Sequence, residues 1–342
     1  MKTAAGILAA FLLALGGWLH ATDYAPIVLS LVDRTVAASG YQTNVDADDF
    51  RLLFCGTGSP NRTPERGQPC LALVADGKLF LFDAGEGAIA KLHEYRAPVL
   101  KLHTVFLTHL HSDHVSGVAE TLHNTWLYGR TDRVEVVGPP GTEAFLNGIR
   151  DSYRDDLEER NRVLGHENID ADTAFGPARE VRIDDADAHT VYDENGLLIE
   201  AFRVDHPDWP HAYGYRVSHR GKVIVVSGDT AVSDGIRTHA RGADMLIHEA
   251  VKLELMEAIA EGMAKYDGAI PPERFARISS VHTDTLSLAD LAQKAGVAHL
   301  VMTHLIPALP DTFVANRYFA AGMADRYDGE ITLAVDGLWL EP

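Results

Sequence analysis

Cysteine is almost absent: Cys55 and Cys70 are the only two in 342 residues. Two thiols build neither a disulfide-dense scaffold nor a cysteine-rich zinc site, so the fold has to rest on an apolar core. Basic residues are also scarce. Lys and Arg number 30 against 49 Asp and Glu, a formal charge of −19 at pH 7, and no Lys/Arg run offsets it. That field repels phosphodiester backbones, which excludes broad electrostatic attachment to nucleic acid. Beyond residue 20 no stretch is long and apolar enough to span a bilayer, so the body reads as soluble. What is present is a globular composition, 46% hydrophobic and 23% charged, with chain enough for two domains or one large α/β unit.

The chain falls into three parts. Lys2 followed by the apolar run 4–19 has the basic start and apolar centre of a signal peptide. The run is short for a transmembrane helix of about 20 residues. Residues 1–21 are therefore expected to be a signal peptide or an N-terminal membrane anchor. The expected location is the periplasm or beyond, with attachment to the inner membrane if the segment stays uncleaved. Residues 22–49 read as a helix over 25–38 and a polar linker, and residues 50–342 as the main domain. Cys55 and Cys70 lie in the strand-like runs 51–56 and 69–75, joined by a Gly/Pro/Asn-rich loop. If those runs pair as a ladder, a disulfide and two small buried thiols are both open.

From residue 50 strands and helices alternate. Strand-like runs fall at 79–83, 104–108, 133–137, 197–204, 213–218, 223–227, 245–248, 300–303 and 331–335. Val115, Val118, Ala119, Leu122 and Trp126 recur at helical spacing, and residues 286–295 form a second helix with Gly296 as its stop. Two stretches look inserted: 148–193, which is polar, acidic and weakly periodic, and 252–279, a helix followed by a Pro-Pro loop.

The chemistry concentrates in Thr108-His109-Leu110-His111-Ser112-Asp113-His114, between an apolar strand and an amphipathic helix. In an extended segment residues two apart share a side, so His109 and His111 can converge on one ion. Asp113 and His114, at the helix start, can turn toward another. Imidazole with carboxylate suits Zn²⁺, and less often Fe or Mn. Three more metal-competent residues end strand-like runs: His206 after Phe202–Asp205, Asp229 after Val225–Gly228, and His304 after Leu300–Thr303. Strand ends on one edge of a scaffold can hold convergent ligands, and with the loop these residues complete a dinuclear site.

The ordered elements Gly56-Thr57-Gly58-Ser59-Pro60, Phe82-Asp83-Ala84-Gly85-Glu86-Gly87, Thr108 to His114 and Ala212-Tyr213-Gly214-Tyr215-Arg216 resemble the metallo-β-lactamase superfamily. So do Ser227-Gly228-Asp229-Thr230, His248-Glu249-Ala250, Val281-His282-Thr283 and Thr303-His304-Leu305. Within it the chain is most similar to the RNase Z and arylsulfatase-like branch. The resemblance implies an α/β fold, a four-layer αββα sandwich, with two Zn²⁺ ions per chain. It implies that His109, His111 and His206 hold one ion, that Asp113, His114 and His304 hold the other, and that Asp229 bridges them. Asp113 and His282 are the candidate catalytic residues, His282 at a position that faces the substrate's phosphate or sulfate. Asp83 either buttresses the metal loop as an acceptor or forms the turn before Gly85. His248 is a candidate for orienting ligands, and His211 for lining the pocket mouth.

The function expected on these grounds is hydrolysis of a small ester, an aryl sulfate or a phosphodiester, by a metal-bridging hydroxide. The segment around Asp151 to Glu159 is acidic where tRNA-processing enzymes carry a Lys-rich arm, so a small-molecule substrate is expected and nucleic acid is not. The alternatives are an RNase Z-like endoribonuclease acting at the tRNA 3′ end, a cyclic-nucleotide phosphodiesterase, and a non-catalytic metal-binding relative. A membrane contact is expected only through an uncleaved N-terminal segment, and homodimerisation is open.

Overall fold

Strand β1 (Phe50–Gly56) shows how the core is organised. Leu52 and Phe54 enter one apolar cluster, while Leu53 and Cys55 enter another on the opposite face. A strand buried on both faces needs a layer on each side, and the rest of the chain supplies them. The computed structural model describes residues 24–38, 45–61, 63–165, 170–207, 209–265, 277–278 and 280–342. The expected export segment, part of the linker and the Pro-Pro loop lie outside them. Among the described residues no helix is long and apolar enough to cross a membrane. The helix expected at 25–38 spans Ala25–Ala38. Its unit, Met1–Tyr41, is separate from the unit Gln42–Pro342.

Within the second unit β1 pairs antiparallel with β2 (Cys70–Ala75), and β2 with β3 (Lys78–Ala84). The sheet continues in parallel through β4 (Leu102–Phe106), β5 (Glu135–Gly138) and β6 (Ala178–Glu180). The other sheet begins with antiparallel strands β7 (His189–Glu194), β8 (Leu197–Arg203), β9 (Tyr213–His219) and β10 (Lys222–Val226). It continues in parallel through β11 (Met245–Val251), β12 (His299–Ile306) and β13 (Glu330–Leu333). The final strand β14 (Leu338–Leu340) returns to pair with β1. Phe80, Phe82, Phe106, Tyr213 and Tyr215 fill the space between the sheets, and helices cover both outer faces. This is the four-layer αββα sandwich.

Two backbone bonds stitch the sheets together at one end. Tyr213 N–H donates to Thr108 O at 2.9 Å, and Leu305 N–H donates to Thr57 O at 3.0 Å. The loops that carry the metal-competent residues leave from this end. A bulge between Phe54 and Gly56 turns Cys55 toward Cys70, and the two form a disulfide with a Cα–Cα distance of 5.0 Å. The stretch 148–193, expected to be weakly periodic, includes regular elements: its described residues continue the helix Thr142–Leu164 and form strands β6 and β7, the edge of each sheet. Phe145, Leu146, Ile149, Tyr153 and Leu157 give that helix its apolar stripe, packed on the outer face of the first sheet. Charged residues at the other positions dilute the stripe in the sequence.

The short helix Ser112–Val115 presses directly against the loop after β3. A Cβ added at Gly117 would lie 2.0 Å from Gly85 O, so only glycine fits there. Gly117→Ala is expected to cost about 1–3 kcal/mol, the usual range for forcing an atom into a packed site. Urea unfolding measures it, and an unchanged midpoint would show that the loops do not meet this tightly.

Candidate metal centre

The loop from Thr108 to His114 is held by one carboxylate. Asp83 accepts Thr108 N–H at 2.8 Å on Oδ1, and the Thr108 hydroxyl at 2.8 Å together with His114 Nδ1 at 2.7 Å on Oδ2. Asp83 is therefore a buttress as well as a turn residue, with φ at +60°. These bonds also fix tautomers. Nδ1 of His114 donates to Asp83, which leaves Nε2 with its lone pair facing inward. The Thr108 hydroxyl donates to Asp83 and so accepts from His109 Nδ1 at 3.0 Å, freeing His109 Nε2 in the same way.

The strand ends bring the other donors to this loop. His206 follows β8, Asp229 follows β10, and His304 lies near the end of β12 with φ at +46°. Backbone in that region costs a non-glycine residue on the order of 1–3 kcal/mol, and it turns the His304 ring out of the strand's alternation. His109 Nε2 comes within 2.8 Å of His111 Nδ1, and His206 Nε2 within 3.4 Å of the same atom. His304 Nε2 lies 3.4 Å from Asp113 Oδ2, and His114 Nε2 lies 3.6 Å from it. Asp229 spans the two groups. Its Oδ2 lies 3.9 Å from His109 Nε2, while Oδ1 lies 3.4 Å from His114 Nε2 and 3.3 Å from His304 Nε2.

A cation fits this arrangement. Asp113 Oδ2, His114 Nε2, Asp229 Oδ1 and His304 Nε2 are buried without a hydrogen-bond partner, yet all converge. Buried polar atoms without partners are costly, and a divalent ion satisfies several lone pairs at once. Burial, reinforced by the neighbouring His114, holds His109 well below the ordinary histidine range, and burial also lowers His111 and His206. Neutral imidazole is the form that binds metal. Burial raises the Asp229 carboxyl, but His304 and His114 outweigh it and hold it well below the usual range.

All seven sequence-predicted ligands thus meet in two adjoining donor sets. His282 joins them, its ring 5.7 Å from that of His304 and 6.0 Å from that of His206. His248 does not, because strand alternation turns it to the opposite face of β11 from Glu249. His211 has no ring or polar contact with the donors among the described residues. Glu249 is the residue that sequence reasoning passed over. It is buried, accepts Thr283 N–H at 2.8 Å, and brings its other oxygen to 3.4 Å from His282 Nδ1. Its position directly after His248 was the available signal, masked by the more conspicuous imidazole.

Asp83→Ala removes an acceptor used three times. It is expected to lower folding stability by at least about 1–3 kcal/mol, the cost of buried unpaired donors. Asp83→Asn keeps the bond to Thr108 N–H but turns a donor toward His114. It is expected to weaken metal binding about 10–100-fold in a chelator competition while the fold survives.

The region 78–305 matches the family model for the β-lactamase superfamily domain. Ribonuclease Z of Mycobacterium avium is 32% identical over 266 residues, which cover 76% of this chain and 87% of that protein. Ribonuclease Z of Mycobacterium bovis is 30% identical over 263 residues, again 76% and 87%. Among solved structures, human tRNase Z, short form, superposes with a TM-score of 0.59 at 22% identity, over 85% of this chain and 98% of that one. The metallo-β-lactamase fold protein YhfI of Bacillus subtilis does so with 0.58 at 17%, over 86% and 100%. These relatives correct two expectations. A small-ester substrate and the exclusion of nucleic acid are overturned, because the similar proteins are ribonucleases. The charge argument failed because net charge governs long-range attraction, whereas a local donor set can hold a phosphate regardless of the average. The chain belongs to the metallo-β-lactamase superfamily, in its RNase Z branch, as a metal-dependent hydrolase of ester bonds.

Proposed function

We propose that the chain is a two-metal ribonuclease of the RNase Z type, hydrolysing an RNA phosphodiester at the 3′ side of tRNA. The observation that carries this reading is the pair of donor sets meeting at Asp229, in a chain aligned over 87% of a ribonuclease Z. We assign His109, His111 and His206 to one divalent cation, Asp113, His114 and His304 to the other, and Asp229 to both. Zinc suits a set rich in imidazole. Two such cations supply acidity to a water and offset charge on the phosphate.

The protein's own contribution centres on His282. Burial works against its charge, but the Glu249 carboxylate outweighs burial and raises its pKa to about 9. With Nδ1 turned to Glu249, the ring can pass a proton from Nε2 to the departing ribose oxygen. Glu249 is a positioning residue: with Oε1 fixed by Thr283 N–H, its Oε2 faces His282 Nδ1 and leaves Nε2 for the substrate. Asp229 and Asp113 stay ionised among the histidines, as ligands require.

Protein loaded with zinc should carry close to two ions per chain and cut a precursor tRNA, and EDTA should stop the reaction. Asp229→Ala should lower metal content and rate together. His282→Ala should keep its metal and cut RNA about 10²–10⁴-fold more slowly, the span of general acid help. Intact precursor tRNA after incubation with the fully loaded protein would overturn the assignment.

A further inference from the structure

We propose that Trp209 is a nucleobase-binding residue, whose indole stacks on a base beside the scissile phosphate; the inference rests on the RNA reading above. The indole sits at the edge of the donor cluster, its ring centroid 4.4 Å from that of His111 and 6.1 Å from that of His109. A phosphodiester held by these donors brings its flanking nucleosides to that edge. Trp209 is half-buried, with apolar contact to the cluster under the second sheet. By contrast, Trp126 is fully buried and its indole N–H is bonded to Asp170 O at 2.8 Å.

Backbone bonds among the described residues hold the loop. Trp209 N–H donates to His206 O at 3.0 Å, Val204 N–H donates to Ala212 O at 3.0 Å, and Asp205 N–H donates to Thr230 Oγ1 at 3.0 Å. Pro210 further restricts the backbone of Trp209. A large aromatic side chain, half-buried and fixed at the rim of a phosphodiester site, is a stacking platform.

Charge points the same way. The chain carries −19, and the ion pairs of Asp113, Asp229 and Glu249 are with histidines. These pairs bring no Lys or Arg to the donors for counterion release, the usual source of affinity for nucleic acid. Stacking is short-ranged and indifferent to net charge, so it adds affinity that the acidic far field does not oppose.

The test compares wild type with Trp209→Ala, Trp209→Leu and Trp209→Phe on a precursor tRNA and on the same RNA made abasic at both nucleotides flanking the cut. The Ala and Leu variants should raise KM on the intact RNA roughly 5- to 150-fold, the range for losing one stacked base. Phe should restore most of the loss, and the abasic RNA should not separate the four proteins. Metal content should be equal in all of them. Quenching of indole fluorescence by the intact RNA should disappear in Trp209→Leu, a binding readout that needs no turnover. An unchanged KM in Trp209→Leu would overturn the proposal, as would loss of metal in that variant, which would make Trp209 a support for His111. If wild type neither binds nor cuts the RNA, the ribonuclease reading falls and takes this inference with it. If wild type cuts and Trp209→Leu cuts equally well, only the inference falls.

Discussion

The Asp83 carboxylate decides where the donor loop sits. It is the shared acceptor for Thr108 N–H, the Thr108 hydroxyl and His114 Nδ1, and through Thr108 it also orders His109. One buried anion thus sets the tautomer of two imidazoles on two different turns of chain. That requires the Asp83 side chain to leave the end of β3 toward the loop, and a φ of +60° provides the direction. The same solution recurs at His304, with φ at +46° on β12. Strain at two positions of this kind persists only when the surroundings over-determine it. Here the surroundings are the two sheets, stitched at the same end by Tyr213 to Thr108 and Leu305 to Thr57.

Much of this was readable in the sequence, and the limits are physical. The His-rich loop was legible because four metal-competent side chains in six residues have few other uses. His206, Asp229 and His304 were legible only as partners to it, since each alone is an ordinary strand end. The strands were legible from apolar runs bounded by glycine and polar residues. What sequence could not supply was backbone direction: aspartate and histidine enter the left-handed region more readily than most residues but still seldom, so their presence at 83 and 304 does not mark either position. The helix Thr142–Leu164 escaped because its stripe is narrow and its exposed face is charged. Glu249 escaped because its importance lies in its bond to Thr283, 34 residues further along the chain, and in the neighbouring His282.

The substrate class shows a different kind of limit. Composition correctly described the far field of the molecule, which is acidic. It said nothing about the few ångströms around Asp229, where imidazoles and any cation they hold set the local potential. An enzyme can bind a polyanion under an acidic field if the contacts are short-ranged, at a cost in encounter rate rather than in chemistry. For the RNA substrate proposed above, the chain's acidity bears on how quickly it arrives and on salt dependence, and much less on which bond is cut.

The disulfide belongs to the same design. Cys55 adjoins the stretch Gly56-Thr57, whose Thr57 O holds Leu305 beside His304. Cys70 adjoins Pro69, whose carbonyl accepts Gly85 N–H at 2.9 Å, two residues beyond Asp83. The bond therefore joins the supports of the two left-handed residues on which the donor geometry depends. Closing a loop with a sequence separation of 15 is worth about 3 kcal/mol through the unfolded chain. That is comparable with the strain of one such residue. With only two cysteines in the chain, the single covalent cross-link falls beside the supports of Asp83 and His304, two of the non-glycine residues with positive φ, and so braces the backbone that aims the donors.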